Sequence, residues 1–139
     1  PSNDRLAKLY SQQFYRQAAR ILSPSGVMIT QATSSYFSPN AFAMVASTVA
    51  SAQPQRHITP FSINVPSFGE WGFVLSALNA DVVMSQPLPK GLRYQNQKLL
   101  TFLTKNNAVS VPSGPVSTLI SPRITDVYNA DMRQWRYYN

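Results

Sequence analysis

His57-Ile-Thr-Pro-Phe-Ser-Ile-Asn-Val65, then Pro66-Ser-Phe-Gly69, then Glu70-Trp-Gly-Phe-Val-Leu-Ser-Ala-Leu78 is the stretch that decides the fold. His57 to Val65 reads as a strand, and Pro60 inside it argues for a sheet edge, because proline donates nothing to a ladder. Pro66 to Gly69 is turn chemistry. Glu70 to Leu78 is a second strand, built around Trp71, Phe73, Val74 and Leu75. A strand, a short turn and a strand make an antiparallel pair.

Working upstream, Gln53-Pro54-Gln55 ends a helix expected over about Pro39 to Ala52. Ser38-Pro39 is its start, a capping hydroxyl followed by proline in the first turn. Thr33 to Phe37 is a polar and aromatic loop. Before it, Val27 to Ala32 is a short, largely apolar strand of the kind covered on both faces in a parallel sheet. Asp4 to Leu22 predicts one amphipathic helix, with Leu6, Leu9, Tyr10, Phe14, Ala18, Ile21 and Leu22 in a single stripe. Ser2 or Asn3 caps it and Pro24-Ser25-Gly26 stops it. Downstream the signal thins. Gln86 to Gly91 is a linker-like turn, Asn96 to Thr104 a helix, Val109 to Pro122 a loop with three prolines, and Ile124 to Trp135 a terminal helix. The order is α/β.

Composition narrows the chemistry. With 139 residues the chain fits one domain. It holds no cysteine, one histidine (His57) and five acids, which argues against disulfides, thiolate sites and a multi-histidine metal centre. No metal site is expected. The net charge is +7, yet the bases are scattered, and only Arg133-Gln-Trp-Arg-Tyr-Tyr138 interleaves them with aromatics. Nucleic acid is not the expected partner, because charge alone speaks of solubility and steering. The apolar runs are too short to span a bilayer.

Three segments, taken in order, resemble the spermidine synthase (polyamine aminopropyltransferase) family. The first is Pro1-Ser2-Asn3, then Lys8-Leu-Tyr-Ser-Gln-Gln-Phe-Tyr15, followed by the break at Leu22-Ser-Pro-Ser-Gly-Val27. The second is Gln31-Ala-Thr-Ser-Ser-Tyr-Phe37. The third is Val65-Pro-Ser-Phe-Gly-Glu-Trp-Gly-Phe73. Gly91-Leu-Arg-Tyr94 and Arg136-Tyr-Tyr138 are similar to a longer branch of that family, whose members often carry N-terminal membrane helices.

The resemblance implies the C-terminal half of a methyltransferase-like Rossmann fold: strands five to seven, with the last antiparallel and inserted between the other two. Residues 1–78 would form that half, and 79–139 an extension packing on the same domain. It implies transfer of an aminopropyl group from decarboxylated S-adenosylmethionine, a co-substrate rather than a bound cofactor, to putrescine or a related amine. The glycine-rich donor turn would lie upstream, since none of the five glycines forms G-x-G. The catalytic acid is expected just before Pro1, so the chain alone should be inactive. Loss of acids with that half would explain part of the positive charge. The partners implied are a small amine, the missing N-terminal half and a second copy of the protein. The place implied is the cytoplasmic side of a membrane-anchored parent. The alternative is a non-catalytic Rossmann-like domain that binds a polyamine or a protein.

The substrate-binding candidates are Gln31, Tyr36, Ser67, Phe68 and Trp71. Gln31 stands at the C-terminal end of a strand, where open α/β sheets bind ligands; a solvated strand end is the plain alternative. Phe68 takes the place of a pocket tyrosine, which either shifts amine preference or leaves the ring as packing. Tyr36 flanks the pocket or is an exposed loop residue. Trp71 has a competing reading as core, Glu70 one as an exposed turn carboxylate, and His57 one as surface. Ser34, Ser35 and Ser67 lack the G-x-S-x-G context of a hydrolase.

Overall fold

The computed structural model describes residues 3–79, 87–93, 96–102 and 113–135. Tyr94, Thr104, residues 109–112 and the Arg136-Tyr137-Tyr138 motif lie outside the described residues.

Asn3 opens α1 (Asp4–Ala7), its Oδ1 accepting the Leu6 N–H at 3.1 Å. The single helix expected to reach Leu22 does not form. A 3-10 turn at Lys8–Tyr10 intervenes, and α2 (Gln12–Ile21) starts afresh. The cause is polar. Ser11 is buried and extended, and its hydroxyl accepts the Phe14 N–H at 3.2 Å. The Gln12 N–H, released from the helix, donates to the Ser117 carbonyl at 2.8 Å. A break resets the helical phase, so the expected stripe does not line up. Leu6, Leu9, Phe14 and Ile21 are exposed, whereas Ala7 and Tyr15 are fully buried.

β1 (Val27–Gln31), β2 (His57–Val65) and β3 (Gly69–Ala77) form a three-stranded sheet in the order β1-β3-β2. β3 runs antiparallel to both neighbours, from Val65↔Gly69 to His57↔Ala77 on one side and from Gln31↔Phe73 to Val27↔Ala77 on the other. Pro60 sits on the edge strand β2, as its chemistry requires. β1 pairs antiparallel with β3, the arrangement the resemblance implies for a last strand inserted between the other two. The reading of a strand covered on both faces is corrected: one face of β1 is open among the described residues, with Val27 44% exposed and Ile29 57%. Met28 packs on the core and Thr30 meets the Tyr15 hydroxyl at 3.2 Å. Alternation places neighbouring residues on opposite faces, so an apolar run does not by itself mean two covered faces.

α3 (Pro39–Ala52) covers the face that carries Gly72, Val74 and Ser76. Phe42 lies against Gly72 so closely that a Cβ there would sit 2.5 Å from Cε2 of the ring. The start of α3 falls at Pro39 as expected, but Ser38 is not the side-chain cap. Its hydroxyl accepts the Ser34 N–H at 3.2 Å instead. The cap comes from far along the chain: Asp131 Oδ2 accepts the Ala41 N–H at 2.9 Å, and Oδ1 accepts the Asn40 amide at 2.7 Å. A buried carboxylate at a helix N-terminus satisfies orphan donors and suits the helix dipole.

α4 (Gln97–Thr101) is short and capped by Asn96. Residues 113–122 form no helix or strand, but they are tied to α3 by Gly114 N–H to Ser47 Oγ (2.8 Å) and Ser117 N–H to Thr48 Oγ1 (3.0 Å). α5 (Ile124–Arg133) packs on α3 and touches α1. Among the described residues no helix is long and apolar enough to cross a membrane.

Candidate functional site

The C-terminal end of β1, the β2–β3 turn and α5 enclose a cleft of about 400 Å³. Gln31, Thr33 and Ser34 line it from β1 and the following loop. Phe68, Glu70 and Trp71 line it from the hairpin, Leu6 and Tyr10 from the first helical segment, and Tyr128 and Met132 from α5.

The hairpin owes its tip to backbone geometry. Ser67 and Gly69 are left-handed, at φ 72° and 78°, and the Phe68 N–H donates to the Val65 carbonyl at 3.0 Å. The glycine takes that conformation without strain. Thr33 is also left-handed, at φ 66°, and is held there by the Gly72 N–H, which donates to its carbonyl. Such a backbone costs a residue with a Cβ and persists where its surroundings fix it.

Glu70 is the centre of the polar network. The hydroxyls of Ser34 and Ser35 donate to its carboxylate, the second at 2.6 Å, and the Ser35 N–H adds a bond of 3.2 Å. Partial burial acts to raise its pKa, but the bonds from Ser34, Ser35 and Ser62 outweigh that and hold it below the ordinary value. The carboxylate is therefore ionised at neutral pH. Burial pushes the Tyr10 phenol up, which keeps its hydroxyl protonated. Trp71 Nε1 is buried without a hydrogen-bond partner among the described residues, and Phe68 stands edge-on to its ring at 6.1 Å.

Of the sequence candidates, Gln31, Phe68 and Trp71 meet in the cleft. Tyr36 and Ser67 do not line it. Tyr36 is 65% exposed and packs on Phe37 and Trp135, while Ser67 is exposed at the hairpin tip. His57 is exposed at the start of β2, as read. Glu70 corrects the reading as an exposed turn carboxylate, for it is half-buried and bonded to a distant loop. Strand alternation carries the missed signal: Glu70 shares a face with Gly72 and Val74. Tyr128 and Met132 had no comparable signal.

Among the described residues the lining offers one carboxylate, an indole N–H without a hydrogen-bond partner, and amide and hydroxyl groups among apolar walls. Such a set suits a cation on a hydrocarbon stem. Among the described residues there is no cluster of metal-ligating side chains.

An antiparallel strand set between two others, with a helix across one face, defines an α/β fold of the methyltransferase-like class. Residues 2–86 match the spermine/spermidine synthase domain, and the chain belongs to that family. It is 38% identical over 143 residues to a polyamine aminopropyltransferase of Mycobacterium tuberculosis, covering 96% of this chain and 25% of that protein. A polyamine aminopropyltransferase of Corynebacterium efficiens is 33% identical over 135 residues, with 96% and 26% covered. The chain thus spans about a quarter of the length of these curated relatives. Spermidine synthase from Thermotoga maritima superimposes with a TM-score of 0.56 at 16% identity, over 69% of this chain and 35% of the other. A spermidine synthase in complex with the transition-state analogue AdoDATO gives the same score and identity, over 69% and 36%. At that identity the likeness speaks for the fold.

Proposed function

We propose that this chain forms the amine-binding part of an aminopropyltransferase that uses decarboxylated S-adenosylmethionine and putrescine or a related amine. One observation carries the reading: Glu70, ionised and half-buried, shares a cleft with Gln31, Trp71 and the apolar rings of Phe37 and Phe68. A diamine presents an ammonium to the carboxylate and its methylenes to the rings. Gln31 and the Trp71 N–H orient the other end.

In the reaction a neutral amine nitrogen attacks the methylene carbon beside the sulfonium. A C–N bond forms and the C–S bond breaks. Sulfur keeps the electron pair, so methylthioadenosine leaves, and the amine's proton passes to a base. Among the described lining residues there is no histidine or lysine to serve as that base, and the Glu70 carboxylate is assigned to the ammonium. The base and the donor site are assigned to polypeptide outside these residues, whose sheet would continue along the edge of β1 that is unpaired among the described residues. The isolated chain is then inactive.

The deciding experiment incubates the full-length polypeptide containing this chain with decarboxylated S-adenosylmethionine and putrescine. Amine-dependent release of methylthioadenosine is expected. Its absence with every amine tried, or turnover by the 139-residue chain alone, would overturn the proposal.

A further inference from the structure

The residues matching the family domain stop at 86, yet one wall of the cleft comes from far beyond them. Tyr128 and Met132 stand four residues apart on α5 and so share a face of the helix. Both line the cleft. This wall is held at two points. Asp131, next to Met132, caps α3 through the Ala41 N–H at 2.9 Å. Trp135 Nε1 donates to the Phe37 carbonyl at 2.7 Å, and its ring packs on Phe37 with centroids 5.1 Å apart. Phe37 itself lines the cleft. α5 is thus tied to the head of α3 and to Phe37, in the same loop whose Ser34 and Ser35 hydroxyls bind Glu70.

We infer that α5 measures the methylene chain of the amine, with Met132 and Tyr128 as specificity-determining residues. The inference rests on the proposed function. Glu70 is the one acidic group among the described lining residues, so it anchors one end of a cationic ligand. The room left for the hydrocarbon beyond it is set by what stands on α5. Met132 is an unbranched thioether that fills space without donating a hydrogen bond. Shortening it lengthens the cleft. A larger ring at that position shortens it.

The test uses the full-length polypeptide, measuring kcat/KM for diaminopropane, putrescine, cadaverine and spermidine. Met132→Ala should shift the ratio toward the longer amines by about tenfold, the effect expected for a methylene-sized change in an apolar pocket. Met132→Phe should shift it the other way, and Met132→Leu should keep the wild-type ratio. If the wild type is active and Met132→Ala and Met132→Phe leave its ratio unchanged, or Met132→Leu shifts it as far as Met132→Ala does, the inference is wrong and the proposed function stands. If the wild type transfers to no amine, both fall together.

Discussion

The two walls of the cleft are held by different means. The hairpin wall, with Phe68, Glu70 and Trp71, rests on a continuous ladder from Val65↔Gly69 to His57↔Ala77 and on the contact of Phe42 with Gly72. The α5 wall packs into the core through Ile124, Val127 and Tyr128, and its position is pinned by a few side-chain bonds, from Asp131 to the head of α3 and from Trp135 to Phe37. A ladder spreads its load over many main-chain groups, so no single polar side chain decides it. A pinned helix concentrates that load. The hairpin wall should be vulnerable to added bulk and the helix wall to lost hydrogen bonds.

The largest effect is expected at Gly72. Gly72→Ala drives a methyl group into the Phe42 ring, which is buried and has little room to withdraw. Overpacking of this kind costs about 1–3 kcal/mol, read by denaturant unfolding of the chain. A loss below about 0.5 kcal/mol would mean that close approach does not fix this wall.

Asp131→Ala should come next. It strips the cap from α3 and leaves the Ala41 N–H without its partner, for about 1–2 kcal/mol. The contrast sharpens if α5 amides exchange faster in this variant while those of β2 and β3 keep their protection. Equal acceleration in both walls would erase the distinction.

The smallest effect concerns pH. Glu70 ties the hairpin to the Ser34–Ser35 loop, and its pKa is depressed in the folded protein. A depressed carboxyl contributes stability that is complete above the unfolded value, near 4.5, and is lost as pH falls through the lowered folded value. Thermal melts should show a shallower acid limb for Glu70→Gln than for wild type. Parallel acid limbs would mean that the carboxylate does not secure this wall.

The same contrast explains what the sequence disclosed. The hairpin was legible because its signals are local: Pro60 marks an edge, Pro66 to Gly69 a turn, and β-rich residues flank it. β2 matched its expected bounds and β3 fell one residue earlier at each end. Gln31, Phe68 and Trp71 converge because strand ends and turns are brought together by that pairing. The break at Ser11 and the cap by Asp131 depend on partners distant in sequence, Ser117 and Ala41. Periodicity does not register such partners, so it predicts one helix where the chain forms two with a 3-10 turn between them. Glu70 lay between these cases. Its face followed from alternation, but its loop partners did not.

Among the described residues the sheet has unequal borders: Pro60 lies in the edge strand on one side, and β1, with Val27 and Ile29 exposed on one face, is the edge strand on the other. Under the proposed reading β1 is a seam within the complete enzyme. An extended peptide of alternating apolar residues, supplied while that seam is still open, would occupy it in place of the native strand. The enzyme could then be blocked at assembly, without any compound reaching the substrate cleft.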